Sequence, residues 1–282
     1  MSVPQTSPLP APKRGVFLTA GCELRSPVVR RIICLPIALG FSALAAPTYG
    51  AEAMPDGFVY LRDIDPTIQQ DMRYAGPNNF TGKAVPGYGA AECVLVRQAA
   101  EALKAAQGDL RAQGLALRVY DCYRPARAVE AFVDWAKLPD DLKAKSVYYP
   151  NLDKTALFPN YIAAPSGHSR GATVDLTLVP LEKPVVEAPE SEACTAPQGS
   201  EAPDGSLAMG TTFDCFDGKS TMFASNITGE QQRNRVLLEN VMRKHGFEDY
   251  AMEWWHFTLD NEPYPNTYFD FPILPRSAAD KE

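Results

Sequence analysis

The segment GHSRGATVDLT, residues 167–177, places a carboxylate inside what reads as a buried strand. A turn with glycines precedes an apolar run, and Asp175 interrupts that run. Burying an ionised aspartate costs several kcal/mol unless a cation or strong hydrogen-bond donors compensate. We therefore expect that Asp175 either has such a partner or is itself a metal ligand.

The overall composition is that of an ordinary globular protein. The 282 residues are 45% hydrophobic and 22% charged, which supplies enough apolar mass for one large domain or two small ones. The formal net charge is −7, and no block combines Lys and Arg with interleaved aromatic residues. Both observations argue against nucleic acid as the main partner. No feature of the sequence predicts an oligomeric state.

The N-terminal part has the pattern of a secretory signal. Residues 1–27 are rich in Pro and Ser and show no periodicity, whereas Arg30 and Arg31 precede an apolar run over 32–46. Small residues follow this run, and the run is shorter than the ~20 residues that a membrane span needs. We therefore predict a targeting segment over 1–51.

This segment predicts a secreted or periplasmic protein, without stable membrane insertion once the signal is removed. Because a signal rarely lies so far from its start, we expect translation to begin near Val28. An uncleaved anchor helix is the alternative, which Pro36 and Gly40 weaken. The remainder, 52–282, is then a single domain.

Export leaves four cysteines in an oxidising compartment: Cys93, Cys122, Cys194 and Cys215. Four cysteines allow three disulfide pairings, of which we favour Cys93–Cys122 with Cys194–Cys215. The close Cys-x-x-Cys spacing of a zinc cluster does not occur among them.

Hydrophobic periodicity predicts alternating helices and strands. Helical spacing of apolar residues occurs over 90–110, over 125–136 with Pro125 at the first helical position, and over 228–246. The last of these opens on a Thr-x-x-Gln capping box and ends at a glycine. Strand patterns occur over 115–123, 174–179 and 247–260.

The remaining segments predict loops. Residues 138–165 have the composition of a long ordered loop, and the aromatic, proline-rich tail after residue 260 is expected to pack over the domain without joining a sheet centrally. Residues 180–206 are acidic and rich in Pro, Ser and Gly. Such an insertion cannot bury a core, and we predict a mobile surface loop.

The motif EWWHF has the residue types of a metal-hydrolysis site. Such a site needs an imidazole on the metal and an unbound carboxylate that takes a proton from water, and Glu253 and His256 supply this pair. The two tryptophans between them would exclude water and raise the pKa of the carboxylate. The alternative is an ordinary strand in which the glutamate occurs by chance and the histidine belongs to the core.

Combining EWWHF with the opening segment gives a ligand set. His168 and Asp175 can converge if the chain turns between them, and Gly171 permits that turn. Together with His256 they form three ligands with an open fourth position, as in catalytic zinc sites. The third histidine, His245, lies in the last turn of a predicted helix, where an imidazolium interacts favourably with the helix dipole; we do not expect it to bind metal.

These residues resemble the VanX-type D-alanyl-D-alanine dipeptidases of the M15 metallopeptidase family. The motifs SGHSRGATVD and EWWHF carry the resemblance. Further similar segments follow in the same order as in that family: DMRYAGPNNFTGKAVPGY, DCYRPARAV, YYPN, MGTTFDCFD, GFEDYAMEWWHF and EPYPNTYFDFP. The resemblance extends roughly from Phe58 to Pro272.

The resemblance implies an α+β fold with a central antiparallel sheet flanked by helices, which is the fold of M15 DD-peptidases and hedgehog-like zinc domains. It implies one zinc ion per chain, bound by His168, Asp175 and His256, with Glu253 as the general base.

The resemblance also implies roles for residues that bind the substrate. Arg124 would hold the scissile carbonyl and stabilise the oxyanion, although by itself it could equally form a surface ion pair. Asp214 would bind the substrate's ammonium, although its turn could equally leave it solvated. Tyr74 and Tyr88 would line the same pocket, and Ser166 would contact the end of the substrate.

The implied activity is zinc-dependent hydrolysis of D-alanyl-D-alanine to two D-alanines. One alternative is a D,D-carboxypeptidase or L,D-endopeptidase acting on peptidoglycan stem peptides. Another is a zinc-stabilised binding module without catalysis, against which the presence of Glu253 argues. The insertion at 180–206 is longer than the family pattern leads us to expect, and it falls just before Asp214.

Overall fold

A five-stranded sheet forms the centre of the computed structural model, which describes residues 53–186 and 191–276. Its strands are β2 (Gln69–Gln70), β4 (Leu115–Asp121), β5 (Thr173–Pro180), β6 (Phe247–Tyr250) and β7 (Glu253–Leu259). They lie in the order β2-β4-β5-β7-β6, and all neighbours are antiparallel except the β2–β4 pair at one edge. The predicted central antiparallel sheet is confirmed.

A second, two-stranded antiparallel sheet pairs β1 (Phe58–Tyr60) with β3 (Val94–Val96). Because Val94–Val96 pairs as a strand, the helix that we predicted from residue 90 begins only at Arg97. The prediction was wrong at that end.

Helices flank the sheets. They are α1 (Leu61–Ile64), α2 (Arg97–Arg111), α3 (Ala126–Lys137), α4 (Leu142–Tyr148) and α5 (Gly229–Lys244). Pro125 is the N-cap of α3, and the capping box of Thr228 and Gln231 opens α5 as predicted. The prediction of a loop over 138–165 was wrong in part, since α4 lies within it. The Asp141 carboxylate accepts hydrogen bonds from two backbone N–H groups of its first turn.

Both favoured disulfides are present, Cys93–Cys122 and Cys194–Cys215. The tail packs over the domain as predicted: Phe271 is buried and stacks on Tyr123 with ring centroids 4.1 Å apart. Ile273 forms only an isolated bridge with Tyr88, so the tail does not extend the sheet.

The expectation of a mobile surface loop over 180–206 was wrong for its second half. Cys194 is buried in its disulfide, and the buried Asp204 accepts hydrogen bonds from Tyr120 and from the backbone of Ser206. Arg118 of β4 donates to the Asp204 carbonyl oxygen at 2.7 Å. Covalent and ionic contacts here anchor a segment whose composition alone could not form a core.

The described residues lie within one unit of the chain, Tyr49–Glu282. None of the helices in 53–186 and 191–276 has the length and apolar character required to span a bilayer. The predicted targeting segment, 1–51, lies outside the described residues.

Candidate active site

Three adjacent strands place three polar side chains in one row across the sheet. In the strand register Asp121 of β4 pairs with Asp175 of β5, and Asp175 pairs with His256 of β7. Directly opposed residues on neighbouring strands project from the same face. The sheet therefore gathers two carboxylates and an imidazole at one place.

His168 reaches the same place from a short 3-10 helix, Gly167–Arg170. Gly171 ends this helix at a φ of +81°, and a Cβ there would collide with the ring of Phe58. The turn that the sequence required between His168 and Asp175 is thus present. His168 Nδ1 lies 2.8 Å from the carbonyl oxygen of Cys122, so that the other ring nitrogen, Nε2, is left to act as a ligand.

The three potential ligand atoms form a nearly equilateral triangle. Asp175 Oδ1 lies 3.3 Å from His168 Nε2 and 3.1 Å from His256 Nδ1, and the two nitrogens lie 3.3 Å apart. Tetrahedral zinc with bonds of 2.0–2.1 Å would separate its ligands by about 3.3–3.4 Å. Asp175 Oδ1 is buried and makes no hydrogen bond in the structure. The residues therefore fit a divalent metal ion, which answers the question raised by the carboxylate in the strand.

The electrostatics of these ligands suit metal binding. Burial alone would raise the pKa of Asp175, but the two neighbouring imidazoles outweigh it and hold that pKa well below its usual range. Burial lowers the pKa of His256, with Asp175 opposing it, which favours the neutral imidazole that a metal requires.

Glu253 lies beside the ligands at the start of β7. One carboxylate oxygen, Oε2, is 3.6 Å from His256 Nδ1, so that it neighbours the triangle without belonging to it. Burial raises the pKa of Glu253 well above its usual value, and the charges of Asp175 and Asp214 raise it further. A buried carboxylate with a raised pKa can accept and release a proton near neutral pH.

Arg124 follows the end of β4 and faces the same cavity. Its Nη1 lies 3.5 Å from Ser166 Oγ, and its Nη2 lies 3.6 Å from Asp175 Oδ2. Both Nε and Nη2 lie 2.9 Å from Asp121 Oδ2. Sequence reasoning missed Asp121, although a carboxylate at a buried strand end was the same signal that drew attention to Asp175.

Tyr88 contacts the carboxylate that holds Arg124 and is not part of the cavity wall. Its hydroxyl donates a 2.7 Å hydrogen bond to Asp121 Oδ1. The structure therefore does not bring Tyr88 into the cavity wall with Tyr74, where the resemblance placed it. Ser166 does line the cavity, and its Oγ also accepts a hydrogen bond from the backbone N–H of His168.

Asp214 and Tyr74 are buried residues of the cavity wall. The Tyr74 hydroxyl lies 3.0 Å and 2.9 Å from the two carboxylate oxygens of Asp214. Asp214 adopts a φ of +58°, which is uncommon for a residue with a side chain, and only 4% of its surface is exposed. Burial and the charge of Asp214 raise the pKa of Tyr74, which keeps its hydroxyl protonated as a donor.

The cavity between these groups has a volume of about 220 Å³. This is smaller than the roughly 300–1,000 Å³ of sites for drug-sized ligands. Its wall contains the ligand triangle, Glu253, Arg124 and Asp214 together with the rings of Phe80, Phe132, Phe216 and Trp255. Sequence reasoning missed the loop 159–163 and Tyr250, which also line it.

The remaining histidine does not line this cavity. His245 caps the C-terminal end of α5, and its Nε2 lies 2.7 Å from Asp109 Oδ2.

Comparison with known proteins agrees with the site. A sequence model described as "D-ala-D-ala dipeptidase", of the M15 peptidases, matches residues 54–186 and 202–274. The chain belongs to this peptidase family. D-alanyl-D-alanine dipeptidases from Enterococcus faecium and Streptomyces coelicolor are 39% and 40% identical to it, each over 78% of this chain and 100% of the relative. The dipeptidase of Escherichia coli is 31% identical over 71% of this chain and 83% of the relative.

The family model does not match residues 187–201 of this chain. They lie within the predicted insertion and precede the disulfide-bonded Cys215, which follows Asp214. This member of the M15 peptidases thus connects a segment outside the family pattern to its cavity through the bond Cys194–Cys215.

Proposed function

We propose that this protein is a zinc-dependent dipeptidase that hydrolyses D-alanyl-D-alanine to two D-alanines. The observation that carries the proposal is the position of Asp214 in the same small cavity as the ligand triangle and Glu253. A buried carboxylate there can pair with an ammonium close to the scissile bond. A dipeptide has such an ammonium, whereas a long stem peptide does not.

His168, Asp175 and His256 would hold the metal, and we propose zinc because two imidazoles and one carboxylate form a catalytic zinc set. A zinc ion in such a site supplies Lewis acidity, which polarises a carbonyl and lowers the pKa of water to about 7. The Nδ1 of His168, bonded to the Cys122 carbonyl, fixes the ring orientation that this set requires.

The chain's own groups perform the proton transfers and the positioning. Glu253 takes a proton from the attacking water and delivers it to the leaving nitrogen as the peptide C–N bond breaks. Arg124 donates to the oxygen on which negative charge develops, where one such donor contributes ~3–4 kcal/mol. Asp214 binds the ammonium, Tyr74 orients Asp214, and Ser166 lies beside Arg124 at the wall.

We also propose that residues 1–51 target the chain for export and that 52–282 form one catalytic domain. Two disulfides support a secreted or periplasmic location, because disulfides persist in oxidising compartments.

The proposal is tested with purified mature protein and a small panel of substrates. Free D-Ala-D-Ala should be cleaved, L,L-dipeptides and a pentapeptide stem should not, and a chelator should abolish the activity until zinc is restored. Metal analysis should find one zinc per chain. Release of D-Ala from the pentapeptide but not from the dipeptide would replace this proposal with a D,D-carboxypeptidase.

A further inference from the structure

The rim of the cavity is built from one loop and one tyrosine. Among the described residues that line the cavity, those exposed to solvent are Pro159, Asn160, Ala163 and Tyr250. The groups that perform the chemistry lie deeper, since Asp175, His168 and Asp214 are all buried. The solvent-facing part of the cavity wall is therefore formed by the loop 159–163 and Tyr250, and a ligand that enters there passes both.

A hydrogen bond joins the two sides of this rim. The Tyr250 hydroxyl donates to the backbone carbonyl oxygen of Asn160 at 2.9 Å, across 90 positions of the sequence. We call this contact the Tyr250–Asn160 clasp. It connects the loop to the β6–β7 hairpin, which carries Glu253 and His256.

Each side of the clasp is fixed by further contacts of its own. The loop is fixed at its base because the backbone N–H groups of Tyr161 and Ile162 donate to the Leu157 carbonyl at 2.9 and 3.0 Å. Tyr250 lies where the β6–β7 register shifts, an irregularity that redirects a side chain. Its ring packs edge-on against His256 with centroids 5.6 Å apart. The clasp therefore spans a rim whose two sides are already positioned.

The clasp lies where a peptide substrate would be extended beyond two residues. In the proposed function the free amino end of the substrate is held by the buried Asp214, so that the peptide can be extended only on the carboxyl side. An extension on that side has to pass the rim that the loop and Tyr250 form. From this geometry, and resting on the proposed function, we infer that the Tyr250–Asn160 clasp is a specificity determinant that restricts hydrolysis to dipeptides and excludes peptides extended at the carboxyl end.

The test compares D-Ala-D-Ala with the tripeptide D-Ala-D-Ala-D-Ala. The tripeptide carries an isotopic label in its amino-terminal residue. Cleavage of the first bond adds one water, breaks one C–N bond and gives labelled D-Ala with unlabelled D-Ala-D-Ala, whereas cleavage of the second bond would give labelled D-Ala-D-Ala, so mass spectrometry of the initial products identifies the bond that is cut. Tyr250→Phe removes the hydrogen bond and keeps the ring, and Tyr250→Ala also opens the rim. Tyr268→Phe is the control, because Tyr268 is 42% exposed, close to the 37% of Tyr250, but does not line the cavity.

We expect the ratio of kcat/KM for tripeptide over dipeptide to rise by up to about tenfold in Tyr250→Phe and further in Tyr250→Ala. The gain should lie mainly in a lower KM for the tripeptide, and Tyr268→Phe should keep the ratio of the unchanged protein. Because the ratio is independent of the concentration of active enzyme, partial misfolding of a variant does not affect it. If all variants hydrolyse the dipeptide and the tripeptide-to-dipeptide ratio of kcat/KM is the same in each, the inference about the clasp is overturned and the proposed function stands. If the unchanged protein does not hydrolyse the dipeptide, both the proposed function and the inference about the clasp are overturned.

Discussion

The carboxylate of Asp121 holds the guanidinium of Arg124 through its Oδ2 atom, which lies 2.9 Å from both Nε and Nη2. Its second oxygen accepts the hydrogen bond from Tyr88, so that the carboxylate is itself fixed. A donor that is oriented in advance needs no reorganisation when charge develops on the substrate. We therefore assign Asp121 a positioning role, with Arg124 as the group that contacts the substrate.

Replacing Asp121 by asparagine should reduce kcat/KM for D-Ala-D-Ala by on the order of 10²-fold. The amide keeps the shape of the side chain but loses the charge that orients the guanidinium, and the loss should fall mainly on kcat. Zinc content should remain at one per chain, because the 2.8 Å contact of His168 Nδ1 with the Cys122 carbonyl is retained, whereas Asp121 Oδ2 lies farther from that nitrogen, at 3.4 Å. Steady-state kinetics with parallel metal analysis provides the measurement.

Asp270→Asn is the matched control for Asp121→Asn. Asp270 binds Arg127 Nε at 2.9 Å, but both side chains are about two-fifths exposed and neither lines the cavity. Surface pairs of this kind contribute little, and kcat/KM should change by less than about twofold. Equal losses in the two variants would show that Asp121 acts only through general stability.

Glu253→Gln should separate proton transfer from metal binding. Glu253 neighbours the ligand triangle without belonging to it, so that the variant should keep its zinc and lose about 10²–10⁴-fold in kcat. Asp175→Asn should instead lose zinc, because the amide replaces a charged ligand. Metal content after dialysis distinguishes the two variants. Loss of zinc from Glu253→Gln would identify Glu253 as a ligand and remove it as the general base.

Sequence reasoning found the residues whose chemistry conflicts with their surroundings. Asp175 in an apolar run and His256 beside two tryptophans were visible in this way. Asp121 was missed because its role depends on the strand register that places it opposite Asp175, and register is a long-range property. Tyr88 was expected in the pocket from the family resemblance alone, and a resemblance between segments does not distinguish a residue that lines a cavity from one that supports it.

The elements of the fold, like the site residues, were predicted from the sequence only in part. Patterns with one clear period, such as the capped helix α5 and strand β5, were confirmed. The start of α2 was wrong, since the apolar residues Val94–Val96 satisfy a helical spacing and a strand equally and only pairing with β1 decides between them. The packing of Asp204 was missed because its partners Tyr120 and Arg118 lie far away in the sequence.

The disulfide Cys194–Cys215 should influence substrate binding more than turnover. Asp214 has a positive φ, a conformation that costs about 1–3 kcal/mol and persists only where neighbours enforce it. The adjacent disulfide and the hydrogen bond from Tyr74 supply that enforcement. In the double variant Cys194→Ser with Cys215→Ser we expect KM for D-Ala-D-Ala to rise about tenfold, with a smaller change in kcat.

The other disulfide, Cys93–Cys122, provides a comparison with Cys194–Cys215. Cys122 presents the carbonyl that orients His168, so that the double variant Cys93→Ser with Cys122→Ser should weaken zinc binding in a competition with a chelator. An unchanged KM in the folded Cys194/Cys215 variant would contradict the link between that disulfide and Asp214.

Asp204 should make stability depend on pH. Burial alone would raise its pKa, but the hydrogen bonds from Tyr120 and Ser206 and the charge of Arg73 outweigh burial and lower it. A carboxylate whose pKa is lower in the folded state stabilises the protein above its unfolded value of ~3.9, and this contribution is lost as the pH falls through the folded pKa. Asp204→Asn should therefore lower the free energy of unfolding by about 2–4 kcal/mol near pH 7.

The difference between the unchanged protein and Asp204→Asn should narrow as the pH is lowered, because the protonated aspartate resembles the amide. Urea unfolding at about pH 7 and about pH 3 measures this narrowing. Asp134→Asn is the control, because Asp134 pairs with Lys137 on the surface with 76% of its side chain exposed, and its effect should be small at both pH values. A constant difference for Asp204→Asn across the range would mean that packing around residue 204, and not its charge, anchors the second half of the insertion.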